Sequence, residues 1–416
     1  MTLSTKEQVG FYTALVGGVS ASSNFLGPVL GGIITDHASW RWIFYLNVYQ
    51  RATDKTKSIT RKHLARIDVV GGVLSVVWAI PFVFAIQEGG SEFPWNSVVI
   101  IVTLTGGIIG CIVFLFWEAY VGKSTKQDQL LPMWMLTDPI VSLILLSVML
   151  FGFAFFSAVL LLPQRFQAVN GATPTQAGFK LLALTLSSPF FTVIAGAIMS
   201  RHKSAAQYLL PAGTSFIAVA TGLLSSLSTN YPIPHSVYGF QVLLGAGFGF
   251  VLPTSFYLLK VYVPEKDIST ALGALNMGRT LGGGISVSIC AAILHSTLKL
   301  GLSGFLDAEQ VGSLKTSLEV LKTLSPEKTE LVRVVFGNAY NRQFQVLLAF
   351  ALANVIVSGI LRVNIKRQAR SIAPESAQAT EDIHEEARRP HERVEIPLED
   401  EKATSDVHEF DGTVKA

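Results

Sequence analysis

Residues 23–47 read SNFLGPVLGGIITDHASWRWIFYLN, and the rest of the chain is understood from this stretch. Gly27, Pro28, Gly31 and Gly32 lie in an apolar run over residues 9–34. At about 1.5 Å per residue that run is long enough to cross a hydrocarbon layer of about 30 Å. A soluble helix rarely tolerates such a cluster, because proline removes a backbone donor and clashes with the preceding turn. In a membrane helix the same residues have a use. Gly27 and Gly31, four apart, leave a flat stripe against which a second helix packs closely. Trp40, Arg41, Trp42, Phe44 and Tyr45 follow directly, and their amphipathic character settles at the headgroup level and ends the span.

Composition points the same way. Half of the 416 residues are apolar and only 15% are charged, where a soluble chain carries about 25%. Further apolar runs at about residues 69–86, 98–117, 139–162, 177–199, 206–227, 236–259, 268–294 and 344–361 bring the count to about nine transmembrane helices. The fold class is therefore an all-α polytopic membrane protein, with a helix bundle over residues 1–361. A long outer loop, 295–343, holds two amphipathic pieces around 307–324 and 326–340 that lie on the membrane surface or cap the outer mouth. Ser325 as N-cap and Pro326 at the first helical position open the second. Residues 362–416 form an acidic tail whose composition past Ser371 predicts disorder.

Charge gives the orientation. Residues 48–68 contain Arg51, Lys55, Lys57, Arg61, Lys62 and Arg66, and along the following short loops Lys/Arg-rich and Lys/Arg-poor connections nearly alternate. Placing the rich loops in the cytoplasm puts the tail inside and residues 295–343 outside. The net charge of +3 averages a basic loop and an acidic tail, so no nucleic-acid partner is expected. Cys111 and Cys290 sit inside apolar runs and carry no disulfide signal. No cleavable leader is evident at Met1, so the chain is expected to begin in or beside a membrane helix.

The 23–47 stretch resembles the antiporter motif gxxxGPxxGG, followed by WRWxFxxN, of the major facilitator superfamily in its fourteen-helix drug:proton antiporter branch. Ser23 stands where that family usually has glycine. Arg66, Ile67 and Asp68, followed by Gly71 and Gly72, resemble the family's approach to its seventh helix, and Asp68 also reads as a helix N-cap. Gln87, Gly89, Gly90, Trp95 and Asn96 resemble a turn-rich outer loop of the family. In that family the GPxxGG helix is the fifth and a sixth precedes the basic loop, whereas here Asn47 meets that loop almost at once. The resemblance therefore implies an incomplete major-facilitator-type bundle lacking the first four helices and the sixth.

The resemblance implies a secondary active exporter of small hydrophobic or amphipathic molecules, of the fungal toxin and multidrug efflux type, exchanging them for protons. Its partners would be the lipid bilayer, the small-molecule substrate and protons. The plasma membrane is the expected site, with a vacuolar or other organelle membrane as the alternative. Gly27, Pro28, Gly31 and Gly32 would seal and bend a helix contact. Arg279 resembles the family's R-x-x-G-G element and, with Asn276, Gln241 and Asn354, is the candidate translocation pathway. Two bland readings stand beside it. Arg279 snorkels to the headgroups or binds carbonyls, and the amides merely join helices through hydrogen bonds worth about 0.6 kcal/mol.

Other chemistries find no support. Gly245, Gly247, Gly249 and the run 282–284 lack the strand–turn–helix setting of a dinucleotide fingerprint, and Gly122, Lys123 and Ser124 lack the upstream glycine of a phosphate loop. His63, His202 and His295 are not spaced as metal ligands. No convergent acid, base and nucleophile appear at mid-depth, so neither enzyme nor cofactor is expected. Asp36, Glu88 and Glu118 fall only at predicted helix ends, which leaves no visible proton carrier within a span. The competing expectation is a truncated remnant or membrane subunit that does not transport.

Overall fold

The computed structural model describes residues 68–90, 92–125, 129–229, 233–307 and 325–388, with the single positions 34, 127 and 312. The first predicted span lies outside these apart from Ile34, as do Gly27, Pro28, Gly31 and Gly32. The helices are α1 (Val69–Glu88), α2 (Val98–Ser124), α3 (Met133–Thr137), α4 (Pro139–Ala168), α5 (Pro174–Lys180), α6 (Leu182–Arg201), α7 (Ala206–Ser225), α8 (Ser236–Tyr262), α9 (Ile268–Leu302) and α10 (Pro326–Arg388). Among the described residues there is no strand, only an isolated bridge between Gly89 and Phe93. With α5 and α6 taken as one segment, eight helical stretches among the described residues are long and apolar enough to cross a membrane, one for each predicted run after the first. The fold is all-α and polytopic.

Local chemistry sets the helix starts. The Asp68 carboxylate accepts from Gly71 N at 2.8 Å and caps α1, and Ser97 caps α2. Asp138 accepts from both Ile140 N and Val141 N ahead of Pro139. A reciprocal Thr173–Gln176 capping box opens α5. Each satisfies backbone donors that a helix leaves unpaired at its first turn. The α1–α2 connection turns on Gly90, whose φ of +77° favours glycine, with the Trp95 indole packed over Gly89 and Gly90.

The chain divides into Met1–Lys366 and Arg367–Ala416. Within the first unit, α8 is the most enclosed helix, with α6 on one side and α7 on another. Its glycines make that possible. A Cβ on Gly245 would strike Ser187 and the Leu184 carbonyl of α6, and one on Gly249 would lie 2.5 Å from the Ser188 carbonyl. Gly247, two residues on and so turned to another face, meets the Gly213 carbonyl and Ile217 of α7. Lipid tails are as apolar as leucine, so close backbone approach and dispersion hold such helices together where the hydrophobic effect does not. Internal prolines at positions 81, 163, 189, 211 and 253 interrupt α1, α4, α6, α7 and α8.

Helix ends differ from the hydropathy reading. Helix α2 runs on through Ser124, α4 through Ala168 and α9 through Leu302, and α10 begins at Pro326 rather than near 344. The backbone ladder continues past the first polar side chain because polar groups are solvated at headgroup level. The amphipathic piece predicted at 326–340 is thus the first part of α10, while most of 307–324 lies outside the described residues. Composition predicts disorder past Ser371, yet α10 stays helical to Arg388.

Candidate translocation site

Helix α9 presents one stripe to α4, formed by Arg279, Gly282, Gly283, Ser286 and Cys290 at helical spacing. The two backbones meet directly. Gly152 of α4 takes the Arg279 carbonyl against its Cα, while Gly282 and Gly283 accept the Met149 carbonyl and the Phe156 ring. This approach fixes where the Arg279 side chain goes. Its guanidinium carbon lies 5.8 Å from the Phe155 ring centre and 5.7 Å from that of Phe156, within cation–π range. Its Nε is buried without a hydrogen-bond partner, and among the described residues no carboxylate pairs with it. A cation held by ring faces and lacking a counter-charge can receive an anion, a carbonyl or water.

One turn further along, α4, α9 and α10 are joined by polar side chains. Ser157 and Ser286 share a hydrogen bond of 2.6 Å, Ser286 donates to the Phe153 carbonyl at 3.0 Å, and Gln343 of α10 donates to the Cys290 carbonyl at 2.7 Å. Asn354 is buried and accepts from Ser147 at 2.7 Å, which ties α10 to α4. Gln241 is fully buried on α8, and neither of its amide atoms has a partner. An unpaired buried amide costs on the order of 1–3 kcal/mol. Asn276 is exposed and folds back onto its own helix, donating to the Leu272 carbonyl at 3.0 Å. The four predicted pathway residues are therefore not one contiguous cluster. Arg279 belongs to the α4–α9 seam, Asn354 to the α4–α10 seam and Gln241 to α8.

Two buried charges escaped the sequence reading. Arg165, just beyond the apolar run at 139–162, is 3% exposed within the last turn of α4. It donates to the Gly337 carbonyl at 3.3 Å, Asn341 Oδ1 at 3.0 Å and the carbonyls of Leu227 at 3.5 Å and Ser228 at 2.9 Å. These contacts join the last turn of α4 to the segment that follows α7 and to Gly337 and Asn341 of α10. Glu118, placed by hydropathy just past a span, lies within α2 and is 0% exposed. The signal available for both was helix length, since each sits inside a helix that outlasts its apolar run.

Beside this seam is a cavity of about 900 Å³ between the α1–α2 connection, α9 and α10, lined by Ile86, Trp95, Ile293, Arg342, Val346 and Phe350 among others. Its walls are mainly apolar.

Comparison with known proteins adds the following. The sequence pattern of the Major Facilitator Superfamily matches residues 69–287. The chain is 32% identical over 385 residues to the MFS-type transporter FPY5 of Fusarium mangiferae, covering 88% of this chain and 64% of that protein. It is 26% identical over 375 residues to the MFS-type efflux pump LUC4 of a Fusarium species, covering 85% and 65%. It is 27% identical over 377 residues to the efflux pump FUS6 of Gibberella fujikuroi, covering 85% and 66%. The chain thus spans about two thirds of the length of these relatives.

Proposed function

The chain belongs to the major facilitator superfamily, and from that premise we propose that it exports small hydrophobic or amphipathic molecules, of the drug, toxin or secondary-metabolite class, in exchange for protons. The observation that carries this reading is Arg279, a cation inside a membrane-spanning helix with aromatic faces on two sides and an unpartnered Nε. Keeping a charge at such depth costs a few kcal/mol on insertion scales, so it is retained where it serves a pathway. The mainly apolar cavity beside α9 suits an amphipathic passenger. Two of the relatives compared are themselves named efflux pumps. Of the other candidate residues, Gln241, buried on α8 with an unpaired amide, is the one open to a polar passenger. The protein resides in the plasma membrane with its acidic tail in the cytoplasm.

The test is flux in vesicles reconstituted with the purified chain. A hydrophobic cationic dye should move when a pH gradient is imposed and stop when it is collapsed. Arg279→Ala should leave insertion intact and abolish that flux, with Arg279→Lys restoring part of it because the charge survives without the planar guanidinium. Flux unchanged in Arg279→Ala removes this residue from the site. No gradient-dependent flux at all supports instead a membrane subunit that does not transport.

A further inference from the structure

The end of the α1–α2 hairpin remote from its connecting turn holds two carboxylates that no cation among the described residues neutralises. Asp68 is 3% exposed and Glu118 0%. Both are aimed at one point, since a Cβ placed on Gly71 would strike Asp68 Oδ2 and lie 2.9 Å from Glu118 Oε1. Their hydrogen-bond supply is uneven. Asp68 accepts from Gly71 N at 2.8 Å and from Trp117 Nε1 at 3.1 and 3.0 Å to its two oxygens. Glu118 accepts from Leu131 N at 3.1 Å through Oε2 and from the Leu130 backbone, while its buried Oε1 has no partner. The one charged group acting on Glu118 among the described residues is Asp68. Among the described residues no lysine, arginine or histidine forms an ion pair with it.

Two ionised carboxylates facing each other out of water repel strongly, and a shared proton relieves both the repulsion and the orphaned oxygen. We infer that Asp68 and Glu118 form a proton-binding carboxylate pair, with Glu118 carrying the proton on Oε1 and donating it towards Asp68 Oδ2. The pair also acts as a latch. Glu118 holds the chain beyond α2 twice, through Leu131 N and through its own carbonyl, which accepts from Gln129 Nε2 at 2.6 Å. That segment leads through α3 into α4. Losing the proton places a second negative charge beside Asp68 and pushes α1 and α2 apart at this end, while the bonds that Glu118 accepts from Leu131 N and Gln129 Nε2 remain. The site lies on α1 and α2, away from Arg279, and does not rest on the transport reading.

The test is infrared difference spectroscopy of the full chain in phosphatidylcholine vesicles, recorded across pH. The expected result is a buried carboxylic-acid carbonyl band near neutral pH that disappears on alkalinisation and is absent in Glu118→Gln. The amide of that variant can still donate to Asp68. A wild-type spectrum with no such band overturns the proposal, as does a band that Glu118→Gln leaves in place. A band absent from the wild type but present in Arg66→Gln also overturns it, by showing that a basic neighbour pairs with Glu118. Should Glu118→Gln not fold, the decision passes to the wild type. Trp117 emission, isolated by difference from Trp117→Phe, should titrate together with the acid band, and a contribution insensitive to pH refutes the pair.

Discussion

Helices α2 and α8 have the same length, 27 residues, and opposite fates. Within their most apolar windows, 17% of α2 is buried inside the protein against 67% of α8, although α2 is the more apolar of the two. In water that order would be reversed, because the more apolar helix would be drawn inside. In a bilayer apolarity selects only for crossing, and the choice of neighbour falls to small residues that let backbones touch. Helix α2 leaves large apolar side chains outward, with Val98 at 76% and Phe116 at 73% exposure, whereas α8 spends glycine on contact.

The sharpest way to break this contrast is a matched pair of substitutions. Gly249→Leu drives a side chain into the Ser188 carbonyl and Phe191, with an expected loss of at least about 3 kcal/mol and of monodisperse protein on detergent chromatography. Gly106→Leu on α2 meets nothing within 4 Å and should leave the elution profile and melting temperature unchanged. A comparable loss at Gly106 would show that α2 is covered by protein and not by lipid. Next in size is Arg165→Ala, which removes the guanidinium that joins the end of α4 to the Ser228 carbonyl and to Asn341 of α10. It should cost about 3 kcal/mol and lower the melting temperature by several degrees. The smallest effect is expected at Ser147→Ala, where losing the bond to Asn354 should cost about 0.6 kcal/mol in a reversible unfolding measurement. A much larger loss there would mark the α4–α10 seam as strained or functional.

Much of the fold was legible because a hydrocarbon layer imposes a length on every span, and the eight runs after the first each became a helix. The Asp68 cap was legible for a similar reason, since a short acidic side chain before an apolar run has one economical use. Partnership was not. Arg279, Gln241, Asn276 and Asn354 all fall inside apolar runs of the sequence, yet which face each presents depends on helix rotation, and that is set by glycine contacts between helices. Arg165 and Glu118 were hidden because hydropathy stops at the first charge while the backbone ladder does not. No periodicity in the chain announces that the Glu118 oxygen and the Asp68 carboxylate share one pocket.

One coincidence in α8 bears on how the protein moves. Pro253 deprives the Gly249 carbonyl of its usual amide partner, and of the two α8 glycines that face α6, Gly249 is the one that lies nearer the α6 backbone. The crease and the clamp therefore occupy the same turn. Bending is cheapest there and slippage is dearest, so α6 and α8 should swing as a single lever whose fulcrum is already cut into the backbone.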